Sequence, residues 1–102
     1  MSNWTRKPEE HPGDYTFSGR SVMTAGVAHQ LEMTDVLQVS SALRRAVREN
    51  AGLDYLQVFE SDDGRVVWAI DQLSQSMREG GDYTPEQLEE YDYWTMLLPE
   101  EY

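Results

Sequence analysis

Few residues in this chain have the types and spacing that chemistry demands. His29, Glu32 and Asp35 form an H-x-x-E run with a further acid three residues on, and imidazole and carboxylate groups so placed can hold a divalent metal. His11 is far away in the chain, and one histidine ahead of a helix reads as an exposed loop residue rather than a ligand. Asp62-Asp63-Gly64 opens like a calcium loop, yet Arg65-Val66-Val67 follows where further oxygen ligands are needed, so it reads as a turn. Glu86, Glu89, Glu90, Asp92, Glu100 and Glu101 supply enough carboxylates for acid–base hydrolysis. A working pair needs an enclosed site that shifts its pKa values; with no sign of one, these acids read as a solvated face. Ser40, Ser41, Ser74 and Ser76 lack a nucleophile-elbow context, and there is no glycine-rich phosphate loop. With no cysteine, thiol nucleophiles, thiolate metal sites and disulfides are excluded. The chain reads as a non-enzyme with no catalytic residue, metal or cofactor.

Charge is more informative. Nineteen acids against eight Lys and Arg give a net charge of −11. Residues 1–50 hold six bases and six acids, so residues 51–102 carry the whole excess. Such a surface repels phosphate backbones and anionic membranes, which excludes direct nucleic-acid binding and membrane association. It admits a basic protein partner. No run approaches the ~18 apolar residues of a membrane span, and no signal-peptide pattern opens the chain. The expected location is cytoplasmic.

The length of 102 residues suits one domain. Residues 1–17, with Pro8, Pro12 and Gly13 and no sustained period, read as a flexible N-terminal arm pinned by Trp4 or Tyr15, leaving 18–102 as a single domain. Residues 20–27 read as a strand ending at Gly26, where a Cβ would resist the bend. Residues 35–50 form an amphipathic helix: Val36, Val39, Leu43, Ala46 and Val47 share a face, Thr34 is the expected N-cap and Gly52 the stop. Residues 54–60 and 65–71 flank Asp-Gly as a β-hairpin. With a loop of two or four residues, Tyr55, Gln57, Phe59, Val66, Trp68 and Ile70 share one side, and Leu56, Val58, Glu60, Arg65, Val67 and Ala69 the other. Both sides are apolar. One packs on the helix; the other meets a second layer, a partner or the arm. Asp71 caps a short helix over 71–81 with Leu73 and Met77 inward and Gly80 as stop, Thr84-Pro85-Glu86-Gln87 starts another turn, and residues 91–98 form a last strand ended by Pro99. The expected fold class is α+β: a small, largely antiparallel sheet of about four strands with one main amphipathic helix on it.

Thr24-Ala25-Gly26-Val27, Asp54-Tyr55-Leu56-Gln57-Val58-Phe59 and Thr95-Met96-Leu97-Leu98-Pro99-Glu100-Glu101-Tyr102 together resemble a family of small uncharacterised bacterial proteins. Its members carry Thr-x-Gly-Val, Asp-Tyr-Leu-Gln-Val-Phe and a terminal Thr-Met-Leu-Leu-x-Glu-Glu-Tyr in the same order, over about residues 20–102. Arg65–Asp71 is also similar to a Trp-x-Ile-Asp segment of another uncharacterised family that ends alike. The chain departs at Ala25, where the family has a basic residue, and at Pro99, where it has a small one. It departs again over 72–90, which read as partly helical where the family is strand-like. The resemblance implies a bacterial, often mobile-element origin and carries no activity.

The remaining aromatics, Tyr91, Tyr93 and Trp94, sit among acids. Alternate residues Trp94, Met96 and Leu98 read as core. Tyr91, Tyr93, Glu86, Glu89, Glu90 and Asp92 form a candidate interface, since exposed aromatics with an acidic rim take up Arg or Lys. The reading is a non-enzymatic protein that binds an unknown, basic protein partner through its acidic second half, with a homodimer compatible. Reversing Glu86, Glu89 and Glu90 is then expected to abolish binding. One alternative is an acidic mimic of nucleic acid that blocks a DNA-binding protein; another is a small-molecule binder or minor enzyme with a pocket between helix and sheet.

Overall fold

The computed structural model describes residues 3–9 and 11–102. Its elements run β1 (Trp4–Arg6), β2 (Arg20–Met23), α1 (Ala25–Gln30), α2 (Met33–Asn50), β3 (Leu56–Ser61), β4 (Val66–Asp71), α3 (Gln75–Glu79), α4 (Pro85–Tyr91), β5 (Tyr93–Leu97) and a closing 3-10 turn, Pro99–Glu101. The class is α+β, with five strands rather than four, in the order β1-β3-β4-β5-β2. Every neighbouring pair is antiparallel except β5 and β2.

Helix α2 follows the apolar spacing. Val36, Val39, Leu43 and Ala46 are buried and Val47 packs beside them. Its start lies two residues earlier than expected. Glu32, not Thr34, is the N-cap, and the Asp35 carboxylate accepts the Glu32 N–H at 3.1 Å. That choice lets Asp35 serve a second donor as well, described below. The helix ends one residue before Gly52: Ala51 itself takes the left-handed C-cap conformation at φ 55. A Cβ is costly there, so Ala51→Gly should stabilise the fold by about 0.5–1 kcal/mol, net of the extra freedom glycine gains when unfolded. Thermal melting should rise by roughly 2–8 °C; a lower melting temperature would contradict the cap assignment.

The stretch expected as an arm is where the structure departs most from the sequence reading. Among its described residues, Trp4–Arg6 form an edge strand on β3, with Trp4 opposite Ser61 and Arg6 opposite Phe59. Tyr15 bridges Leu53 and Ser74, and Phe17 is buried. Residues 1, 2 and 10 of that expected arm lie outside the described residues. Three residues are too few to announce a strand by alternation, and tertiary partners hold this one. The Trp4 indole N–H donates to Asp35 at 3.0 Å in a buried site, the Trp4 backbone N–H donates to the Gln38 side chain, and the Arg65 guanidinium lies 5.3 Å from the Trp4 ring centre.

Gly26 also has a different reason from the one expected. It lies inside α1, and a Cβ there would come within 2.7 Å of the Glu101 carboxyl. Thr24 caps α1 and donates its hydroxyl to Glu101 at 2.6 Å; Glu101 also accepts the Gly26 N–H at 3.2 Å and the Leu98 N–H at 2.9 Å. The first and last of the three quoted segments are thus joined through one carboxylate, which these donors, the Thr24 hydroxyl first, hold below its usual pKa.

Two more acids respond to this packing. Hydrogen bonding from the Trp4 indole lowers the Asp35 pKa, and at the hairpin turn the Ser61 hydroxyl and Arg65 bring Asp63 down to about 2. A carboxyl depressed by folding contributes stability that is present above its unfolded value of 3.8 and lost as the pH falls through its folded value. Acid titration should therefore erode stability below that value. In Asp35→Asn the erosion should be shallower, as read by denaturant midpoints at pH 7 and pH 3. An unchanged slope would show that Asp35 does not hold its partners as ions.

Candidate functional site: an uncovered sheet face

The hairpin decides which side chains share a face. Its loop has three residues, Asp62-Asp63-Gly64: Ser61 N–H donates to Arg65 C=O at 2.9 Å and Gly64 N–H to Ser61 C=O at 3.1 Å. Gly64 has φ 90, the left-handed position that ends such a loop. An odd loop shifts the pairing by one residue relative to a loop of two or four, which reverses one strand against the other. Phe59 accordingly pairs with Val67 and Gln57 with Ala69. Gln57, Phe59, Val67 and Ala69 are buried on one face, where Phe59, Val67 and Ala69 share a core with the apolar side of α2 and with Trp94 and Met96 from β5. This corrects the expected grouping, which put Val67 and Ala69 opposite Phe59.

The other face holds a second apolar set. One row crosses four strands as Leu56, Ile70, Thr95 and Val22. The next crosses three as Val58, Trp68 and Leu97, and Val66 stands opposite Glu60 in a third. Leu97 is buried, while Leu56, Val58, Val66, Trp68 and Ile70 are only half-buried and Val22 is exposed. Aromatic rings rim the face. Tyr102, 77% exposed, meets Trp68 edge-on at 5.6 Å between ring centres, and Tyr55, 42% exposed, lies 6.3 Å from Tyr15. Two hollows open along it. One of roughly 470 Å³ is bounded by Tyr15, Tyr55, Ile70, Thr95, Leu97 and Tyr102. Another, of roughly 520 Å³, lies where β1 leaves β3 and is bounded by Pro8, Glu9, His11, Tyr55, Leu56 and Val58. Strand β1 extends the sheet at its β3 edge, and Pro8, Glu9, His11 and Tyr15 border the hollows of this face.

The residues singled out in the sequence are only partly brought together. Tyr93 heads β5 on the uncovered face, in register with Arg20. Glu86, Glu89 and Glu90 are exposed on α4, spaced three and four residues apart on one side of that short helix. Tyr91 packs edge-on against Tyr83 at 6.4 Å. Asp92 is taken up structurally, since its carboxylate binds Arg78 at 2.7 Å. Trp94, Met96 and Leu98 are core, as their alternation implies, while Leu97 is buried from the other face of the sheet. His29 and Glu32 are exposed whereas Asp35 is buried on Trp4, so the H-x-x-E run is not a cluster. Among the described residues no group of three metal-ligating side chains converges.

Asp71 is the polar residue whose place the sequence reading missed. It ends β4 rather than capping a helix; Ser74 caps α3 instead, Leu73 is buried and Met77 is exposed. Asp71 is 3% exposed, and its carboxylate accepts the Phe17 N–H and the Gln72 N–H, each at 2.9 Å. Burial raises its pKa against the pull of these donors. Phe17 stands at φ 51, a backbone region that bulky side chains rarely adopt.

No helix among the described residues is long and apolar enough to cross a membrane. A scan against protein-family models finds no match to the chain, and searches of curated proteins and of solved structures find none either.

Proposed function

We propose that this chain is a non-enzymatic protein that acts by binding another protein, with the uncovered face of its sheet as the main contact and the acids of α4 as a charged flank. The observation that supports this reading is the row structure of the face. A solvated side of an antiparallel sheet normally alternates to polar residues, but here six of the nine outward positions of β3, β4 and β5 are Leu56, Val58, Val66, Trp68, Ile70 and Leu97, with Glu60, Tyr93 and Thr95 as the other three. Tyr and Trp around a half-buried aliphatic centre are the composition of a binding surface, offering large contact area with polar edges. Glu86, Glu89 and Glu90 would draw in a basic partner, contributing mainly to the rate of encounter.

The proposal assigns different effects to the two regions. Val58→Glu with Trp68→Lys replaces a cross-strand apolar pair by an ion pair on the same face, and is expected to leave the fold intact while abolishing partner binding. Reversal of Glu86, Glu89 and Glu90 to Lys should slow association and change its salt dependence without abolishing the complex. Loss of the complex in the α4 variant alone would move the contact from the sheet to the helix.

A further inference from the structure

On the α2 side of the molecule, away from the uncovered face, a groove of roughly 340 Å³ runs between the second half of α2 and the segment that leads into β2. Its walls are Arg44 and Arg48 on the helix and Thr16, Ser18 and Ser21 opposite; Phe17, Val47 and Trp94 form an apolar floor. Arg44 and Arg48 are four residues apart, so they stand side by side on one helix face with their Cβ atoms about 5–6 Å apart. Although acids outnumber bases by 19 to 8, neither guanidinium has an ion-pair partner among the described residues. The two carboxylates near the segment are engaged elsewhere: Asp71 accepts the Phe17 N–H, and Asp92, against Gly19, holds Arg78.

The segment that faces the guanidiniums is strained. Phe17, at φ 51, is held in that conformation by the buried Asp71 carboxylate, and strain of this kind persists where the surrounding structure over-determines a functional loop. The result sets the Thr16 and Ser18 hydroxyls 3.0 Å apart on the groove wall. We infer that this groove is a binding site for a small phosphorylated molecule. A phosphoryl group presents three terminal oxygens to a site with two guanidiniums and three hydroxyls, more acceptors than a planar carboxylate offers. Phe17 and Val47 would then meet the apolar body attached to it, and the groove falls within the size range of small-ligand sites. Fields from acids more than about 10 Å away are largely screened at 0.1 M salt, the two carboxylates beside the segment are held by their own donors, and the two arginines line the groove itself.

The test is a titration of the full chain with inorganic phosphate and with phenyl phosphate, at constant ionic strength against chloride, followed by backbone amide shifts. The expected result is saturable binding with shifts confined to residues 16–21 and 44–48, and at least tenfold tighter for phenyl phosphate. Arg44→Gln with Arg48→Gln, both exposed positions, should weaken it at least tenfold and leave the melting temperature unchanged. Non-saturating shifts, equal affinity for the two probes, or an unaffected double variant would each overturn the assignment. The outcome is independent of the sheet-face proposal, whose residues lie on the other side of the sheet.

Discussion

Replacing Trp4 by Ala is expected to cost this protein about 3–5 kcal/mol, a large share of the about 5–15 kcal/mol that holds a domain of this size together. Trp4 is buried to 7% exposure. Its ring lies beneath Arg65, and its indole N–H is the leading cause that lowers the Asp35 pKa. Truncation therefore removes core volume, leaves a buried carboxylate short of its donor, and releases β1 from α2 in one step. Trp4→Phe separates these effects. It retains most of the packing but not the N–H, and should cost about 1–2 kcal/mol. Chemical denaturation of the two variants reads both values. A loss under about 1 kcal/mol for Trp4→Ala would mean that the N-terminal strand contributes little to the fold.

Asp71→Ala should destabilise by about 1–3 kcal/mol, the loss expected when buried backbone donors are left without their acceptor. The Phe17 and Gln72 N–H groups lose their partner, and the positive φ of Phe17 is no longer compensated. The pH dependence has the opposite sign to that of Asp35. Burial raises the Asp71 pKa, so its contribution is fully present below the ordinary carboxylate range and declines as the pH rises through the folded value. The gap between wild type and Asp71→Ala should accordingly be wider at pH 4 than at pH 7 in denaturant midpoints. A gap that widens with pH would show that the two N–H donors outweigh burial.

The parts of the fold that were legible in the sequence are those with local causes. The burial face of α2 follows from apolar residues at three- and four-residue steps. The start of α4 follows from Thr84, which accepts the Gln87 N–H at 3.1 Å, with Pro85 at the first helical position. The β5 core follows from alternation through Trp94, Met96 and Leu98. What was missed has non-local causes. Three residues of β1 carry no period, and what fixes them is Asp35, 31 positions away. The parallel pairing of β2 with β5 joins the two ends of the domain, and α1 begins directly after its cap Thr24, where strand-forming residues precede it. Asp71 reads equally well as a cap and as a buried acceptor until Phe17, 54 positions distant, is placed against it.

The candidate site turned on a single parity. Asp62-Asp63-Gly64 is compatible with loops of two, three or four residues, and only the odd loop puts Leu56, Val58, Val66, Trp68 and Ile70 on one side. Glycine at the third loop position, after two residues suited to a type I turn, was the available signal for it. The acidic cluster was legible as composition, but composition alone did not show that Asp92 is committed to Arg78 or that Tyr91 packs on Tyr83.

The most direct test of the proposed function compares three tagged proteins in host lysate: wild type, Val58→Glu with Trp68→Lys, and the Glu86, Glu89 and Glu90 reversal, each first shown to be folded. After a wash in high salt, the same partner should remain on wild type and on the α4 variant and be absent from the sheet-face variant, because burial of apolar area is insensitive to salt whereas surface charge pairs are screened. Retention of that partner by the sheet-face variant at wild-type level would contradict the proposal.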